Sequence, residues 1–221
     1  MRAENIKDKL EYVGQKHQEL LNNIFESQLN GKELEYISHL VGDILSNTTE
    51  CFDYCAKDIF ETFILLELTE EESEDYRKGK TRIHFPFYEN DLRGNPFLLL
   101  SQYKKDLYDY LLNHCHEADE SDYLYARGIR KLVNEKKHNN VIAIAKNGRP
   151  ETIVRGNSFQ AIVPPTPLKV VGGEGVKKMV RTPAYQLKDT GEEVENLCSH
   201  ALSAARRILQ EIYDKFFDIN L

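Results

Sequence analysis

Arg127, Lys131, Asn134 and His138 recur at intervals of three and four residues. On an α-helix of about 3.6 residues per turn these positions form one stripe, so two cations, an amide and an imidazole stand over one another. Cations and amide donors of this kind hold phosphate oxygens, and an imidazole is the usual side chain for moving a proton near neutral pH. His138 is therefore the candidate catalytic residue, with Arg127, Lys131, Asn134 and Lys137 as candidate binding residues. The stripe also fits two other descriptions. One is a solvated face near a helix C-terminus, where cations complement the dipole; the other is a latch in which His138 bonds to a neighbouring helix. Ile129, Leu132 and Val133 lie away from the stripe and mark the side that packs.

The elements that must position this helix can be read from apolar periodicity. Ile6, Leu10, Val13, His17, Leu20 and Ile24 predict an amphipathic helix over 4–29, ended by Asn30-Gly31. A second helix over roughly 32–66 repeats the pattern through Ile37, Leu40, Val41, Ile44, Leu45, Cys51, Phe52, Cys55, Ile59 and Phe63. Its polar side carries Asp43, Asn47, Glu50 and Asp53. A short turn between two long helices implies an antiparallel pair. The acidic tract 70–75 reads as a solvated loop or a frayed helix end, and 83–88 as an extended segment, because Pro86 pushes its predecessor out of the helical region. Asn95-Pro96 opens a third helix through about His116, and Ser121 or Asp122 caps the fourth, which holds the stripe.

After Asn140 the helical period gives way to short apolar or alternating runs at 141–145, 152–154, 159–163, 168–171 and 176–180. Asn147-Gly148 predicts a hairpin between the first two, and Gly172-Gly173-Glu174-Gly175 separates the last two. A last helix over about 190–217 has Val194, Leu197, Ala201, Ala204, Ala205, Ile208, Ile212 and Phe216 on its core side. The expected fold is mainly α (α+β): a bundle of four to five long helices with a small antiparallel β-sheet insertion before the last helix. Residues 1–140 form the bundle, 141–187 the insertion, and 188–221 a C-terminal helix that returns to the bundle.

Composition narrows the function classes. With 221 residues, 41% hydrophobic and 29% charged, the chain can bury a full core and is not of the disordered type. A formal charge of −7 argues against coating duplex DNA, since counterion-release binding needs a broad basic face; local basic patches remain at 127–137 and at Lys177, Lys178 and Arg181. No apolar run is long enough for a membrane span or a secretory h-region, so we expect a cytoplasmic protein with no membrane partner.

The remaining constellations are weaker. Cys51, Cys55, Cys115 and Cys198 contain no CxxC pair and read as small core residues. His114, Cys115 and His116 point to different sides of a helix, which opposes metal binding. The glycines at 172–175 lack the Lys-Ser/Thr of a phosphate loop. No cofactor and no metal are expected. His17, on an apolar seam, reads as a core histidine with its hydrogen bonds satisfied. Asp43, Asn47 and Asp53 read as a wet face, or, if either aspartate is buried, as the partner of Lys131, Arg130 or His138.

Three segments occur in a suggestive order: 42–54 (GDILSNTTECFDY), Phe85-Pro86-Phe87, and 132–138 (LVNEKKH). Together they resemble an uncharacterised family of bacterial and phage helical proteins whose second helix reads GDILHNLRSALDHL, followed by an FPI-like segment and an LxNxxKHR helix end. The resemblance covers about residues 35–145. The arrangement is also similar to HEPN domains, four-helix units of toxin–antitoxin and antiviral systems that are often homodimers. Catalytic HEPN proteins are metal-independent ribonucleases with an R-polar-xxx-H motif. Here His138 falls on the histidine and Asn134 on the polar position, but Val133 stands where the arginine belongs, and the Arg-Ser of the second helix is Thr49-Glu50. The resemblance therefore implies a protein that binds a partner protein or RNA in a defence setting without cleaving it. The rival readings are a ribonuclease using His138 on a ribose 2′-hydroxyl, with Lys131 and Arg127 on the phosphate, and a pure protein-interaction module contacting its partner through the β insertion.

Overall fold

The computed structural model describes the chain apart from residues 31–33, 117–120, 140–141, 148–150, 157–158, 164–176 and 182–183; side chains at 25–35, 114–121, 135–141 and 146–184 also fall outside the description. Helix α1 (Ala3–Asn30) and helix α2 (Leu34–Phe63) form the backbone of the bundle. Contacts between them run in opposite senses: Arg2 meets Asp58, Lys9 meets Glu50, Tyr12 meets Asp43, and Glu19 meets Tyr36. The pair is therefore antiparallel. The predicted apolar stripe of α1 is buried at Ile6, Leu10, Val13, Leu20 and Ile24. Burying a side chain of this size stabilises a fold by about 1.5–3 kcal/mol.

A single 3-10 turn, Leu65–Glu67, follows α2. The acidic tract is a helix, α3 (Glu70–Arg77), where a solvated loop or frayed end was expected. Thr69 accounts for the difference. Its hydroxyl accepts from the Glu72 N–H while the Glu72 carboxylate accepts from the Thr69 N–H, and three acids in the first turn complement the dipole. The segment to Tyr88 is extended, as Pro86 requires, and Phe85 and Phe87 pack edge-on against Phe52 of α2 at 5.2 and 5.1 Å between ring centroids.

The single helix expected over 95–116 is broken. The chain forms α4 (Glu89–Leu92), a 3-10 turn at Phe97–Leu99, α5 (Leu100–Tyr103) and α6 (Lys105–His116). Lys104 leaves the helical region at φ −146, ψ 63, and its Nζ lies over the rings of Phe63 and Phe216. A cation–π site on two other helices thus accompanies the break. Helix α7 (Ser121–Asn139) follows.

Five strands come next: β1 (Ile144–Asn147), β2 (Glu151–Gly156), β3 (Phe159–Val163), β4 (Lys177–Arg181) and β5 (Ala184–Leu187). They form two antiparallel sheets, β1-β5 and β3-β2-β4. The β1–β2 hairpin expected at Asn147-Gly148 is replaced by pairing of β1 with β5, Ile144 opposite Leu187. Burial decides this pairing, because Ile144, Tyr185 and Leu187 join the core beside α2 and α8. β5 carries no sequence signal strong enough to have been read. The strand expected at 168–171 and the glycine turn at 172–175 lie outside the described residues.

Helix α8 (Val194–Phe217) closes the bundle against α1, α2 and α7. Its predicted core side is buried from Val194 to Ile212, with Phe216 half-buried. The fold is thus mainly helical with a small antiparallel β component. Among the described residues no helix is long and apolar enough to cross a membrane.

Candidate functional site

Helix α7 presents its residues in two directions. Ala126, Ile129 and Val133 are buried, Val133 at 3% exposure, whereas Lys131 and Asn134 are exposed. Of the described part of the predicted stripe, Lys131 and Asn134 therefore face outward, whereas Arg127 is half-buried. Side chains of His138 and Lys137 lie outside the described residues.

Two arginines on α7 have structural partners. Arg130 Nη1 donates to Asp53 Oδ2 at 3.0 Å, with the two side chains only 12% and 18% exposed. The same oxygen lies 3.1 Å from His84 Nδ1, and Asp53 Oδ1 accepts from the Phe85 N–H at 3.2 Å. One carboxylate thereby ties α2, the extended segment and α7 together. Arg127 is half-buried with its guanidinium over the Tyr88 ring, 5.4 Å from the centroid. His84 and Tyr88 were missed in the sequence because the segment around Pro86 showed no period, only an extended backbone.

Asp43 is paired elsewhere than with the cations of α7. It accepts from Tyr12 Oη at 2.8 Å and from Asn47 Nδ2 at 2.8 Å, while Lys9 reaches Asn47 at 3.1 Å and also pairs with Glu50. The reason is rotation along α2: ten residues separate Asp43 from Asp53, which turns one toward α1 and the other toward α7. Thr49, at the position matched to the resembled family's arginine, is buried and donates its hydroxyl to the Leu45 carbonyl at 2.9 Å.

The most buried polar network was also unread. Asp58 is fully buried and accepts from the Arg2 N–H at 2.6 Å, Arg2 Nη1 at 2.8 Å and Tyr213 Oη at 2.6 Å. Arg2 also donates twice to Glu61, holding that carboxyl down at about 2, and Tyr76 donates to the same group. Burial, the neighbouring Cys55 and the bond to Asp58 raise the Tyr213 hydroxyl far above its ordinary value. An aspartate three residues after Cys55, on an apolar stripe, was the available signal.

His17 departs from expectation. Its Nε2 is buried with no hydrogen-bond partner among the described residues, and burial lowers its pKa, with Glu195 opposing the shift and Arg206 acting in the same direction. Cys51, Cys55 and Cys198 are buried thiols, and burial pushes Cys51 and Cys198 up to about 12. The side chains of His114, Cys115 and His116 lie outside the described residues. Among the described residues no group of three or more histidines, cysteines or carboxylates is placed to hold a metal.

Lys131 opens onto a groove of about 740 Å³ between α7 and the start of α8. Leu124, Leu132 and Leu197 supply apolar walls, and Asp189, Thr190 and Glu192 supply the rim from the turn after β5. Tyr125 forms one side, its ring packed at 4.6 Å on His200. Burial raises the Glu192 carboxyl above its ordinary range, with His200 opposing the shift. Such a surface can take an apolar body with a polar or charged edge. No protein-family model, curated protein or solved structure matches the chain.

Proposed function

We propose that the chain is a non-catalytic, HEPN-like helical protein whose partner is another protein. The observation that carries this reading is the burial of Val133 at 3% exposure. In the resembled ribonucleases that position bears the arginine that meets the developing phosphate charge, and charge stabilisation of this kind is commonly the largest catalytic contribution. Here it is an apolar side chain within the bundle. Arg130, three residues before Val133, is neutralised by Asp53, which weakens its use as a substitute. The net charge of −7 and the carboxylates beside Lys131 favour a protein partner over RNA. A bacterial or phage conflict setting, a homodimer and a cytoplasmic location, all expected from the sequence and its resemblance, belong to the same proposal.

The test is incubation of the full chain with labelled tRNA and total RNA, at low and moderate salt, beside His138→Ala. Neither protein should cleave RNA, and neither should retain it in a salt-sensitive manner. Cleavage lost in His138→Ala would overturn the reading. Salt-sensitive retention without cleavage would move the partner class from protein to RNA.

A further inference from the structure

Gly128 sits in the interior of α7, exposed, and lines the groove between α7 and α8. Glycine is the poorest helix former after proline, so a mid-helix glycine calls for a reason. Backbone conformation is not the reason here, since Gly79 and Gly191 alone among the described glycines have positive φ. Internal packing is not the reason either, because a Cβ built at Gly128 meets nothing within 4 Å among the described residues. What remains is space on the outside. Leu124, Gly128 and Leu132 follow one another at intervals of four, placing a gap between two leucines along about 12 Å of helix. Close approach of a second backbone is the arrangement that such a gap permits.

We propose that this groove receives an amphipathic helix from a partner protein, crossing α7 over Gly128, with an apolar side between Leu124 and Leu132 and basic residues toward Asp189 and Glu192. The inference rests on the reading of the chain as a protein-binding protein. Charge chooses the occupant. Asp189 and Glu192 line the rim on the side of the turn. The leucine walls take the apolar stripe, as in other helix-in-groove complexes.

Fluorescence anisotropy tests this with two synthetic labelled peptides of about four turns. Both carry leucines at spacings of three and four; one has lysines along one flank, the other glutamates in their place. The lysine peptide should bind the full chain. Gly128→Phe should weaken it at least about tenfold, while Glu192→Lys should weaken the lysine peptide and strengthen the glutamate one. Gly128→Ala should keep the urea midpoint at or above the wild-type value, since the added carbon has room. If Gly128→Phe fails to fold, Leu124→Glu at a 46% exposed position supplies the same readout. The proposal fails if neither peptide binds at millimolar concentration, if both bind equally, or if the groove variants change nothing. It also fails if the chain forms a dimer that Gly128→Phe dissociates, because the occupant would then be a second copy. Peptide binding alongside His138-dependent RNA cleavage would refute the non-catalytic reading and leave the groove standing, so the two failures are separable.

Discussion

Removing Asp53 is the perturbation that bears most directly on what the cations of α7 are for. Asp53→Ala deletes a carboxylate that bonds to Arg130 at 3.0 Å, His84 at 3.1 Å and the Phe85 N–H at 3.2 Å. An exposed ion pair contributes at most about 1 kcal/mol, whereas breaking a buried one costs about 3–5 kcal/mol. With side chains 12% and 18% exposed, this pair lies nearer the buried case, and we expect a loss of about 2–3 kcal/mol. Arg130→Ala should cost somewhat less, because Asp53 keeps its bonds to His84 and Phe85. In the double variant the losses should fall short of their sum by about 1–2 kcal/mol, the coupling typical of residues in one network. Urea unfolding with a common slope measures all three, and each kcal/mol should lower the melting temperature by about 2–4 °C in a chain of this size. A coupling below about 0.3 kcal/mol would refute the reasoning. Arg130 would then be a loosely held cation available to the outer stripe, and the case against phosphate chemistry would weaken with it.

Two further outcomes follow from the polar core. Tyr213→Phe removes a 2.6 Å hydrogen bond to the buried Asp58 and should destabilise by about 1.5–3 kcal/mol; an unchanged urea midpoint would show that the hydroxyl contributes nothing. Glu61 is held at about 2 by Arg2, against an ordinary value of 4.5. Its folded pKa is the lower one, so its contribution is present above about pH 4.5 and is lost as pH falls toward 2. After discounting for partial exposure, the loss is on the order of 1–2 kcal/mol. Glu61→Gln should flatten the pH dependence of stability in that window, and an equally steep profile would place the acid sensitivity elsewhere.

The legible parts of this protein are those governed by local periodicity. Ile6, Val13 and Leu20 in α1, Ile44 and Phe52 in α2, and Ala201 and Ile208 in α8 occupy the buried positions that their spacing predicts. Helical amphipathicity is written into neighbouring residues, so no knowledge of the partner helix is needed. The outward turn of Lys131 and the inward turn of Val133 were readable in the same way. The break at Lys104 was not, because its side chain rests on aromatic rings from α2 and α8. The pairing of β1 with β5 was hidden for a related reason: a local Asn-Gly signal competed with burial beside the bundle.

What the sequence determined by itself is the long helices α1, α2, α7 and α8, the face each one buries, and the turning of Val133 into the bundle and Lys131 out of it. Tertiary structure decided which carboxylate meets which cation. Asp53 and Asp43 are chemically identical and both lie on the polar side of α2, yet one holds Arg130 and the other Tyr12. It also decided that Gly128 opens into a groove, since that space exists only where α7 passes the turn leading into α8. The physical reason is range: periodicity is a property of neighbours along the chain, whereas ion pairs and grooves are made by groups that sequence separates and packing brings together.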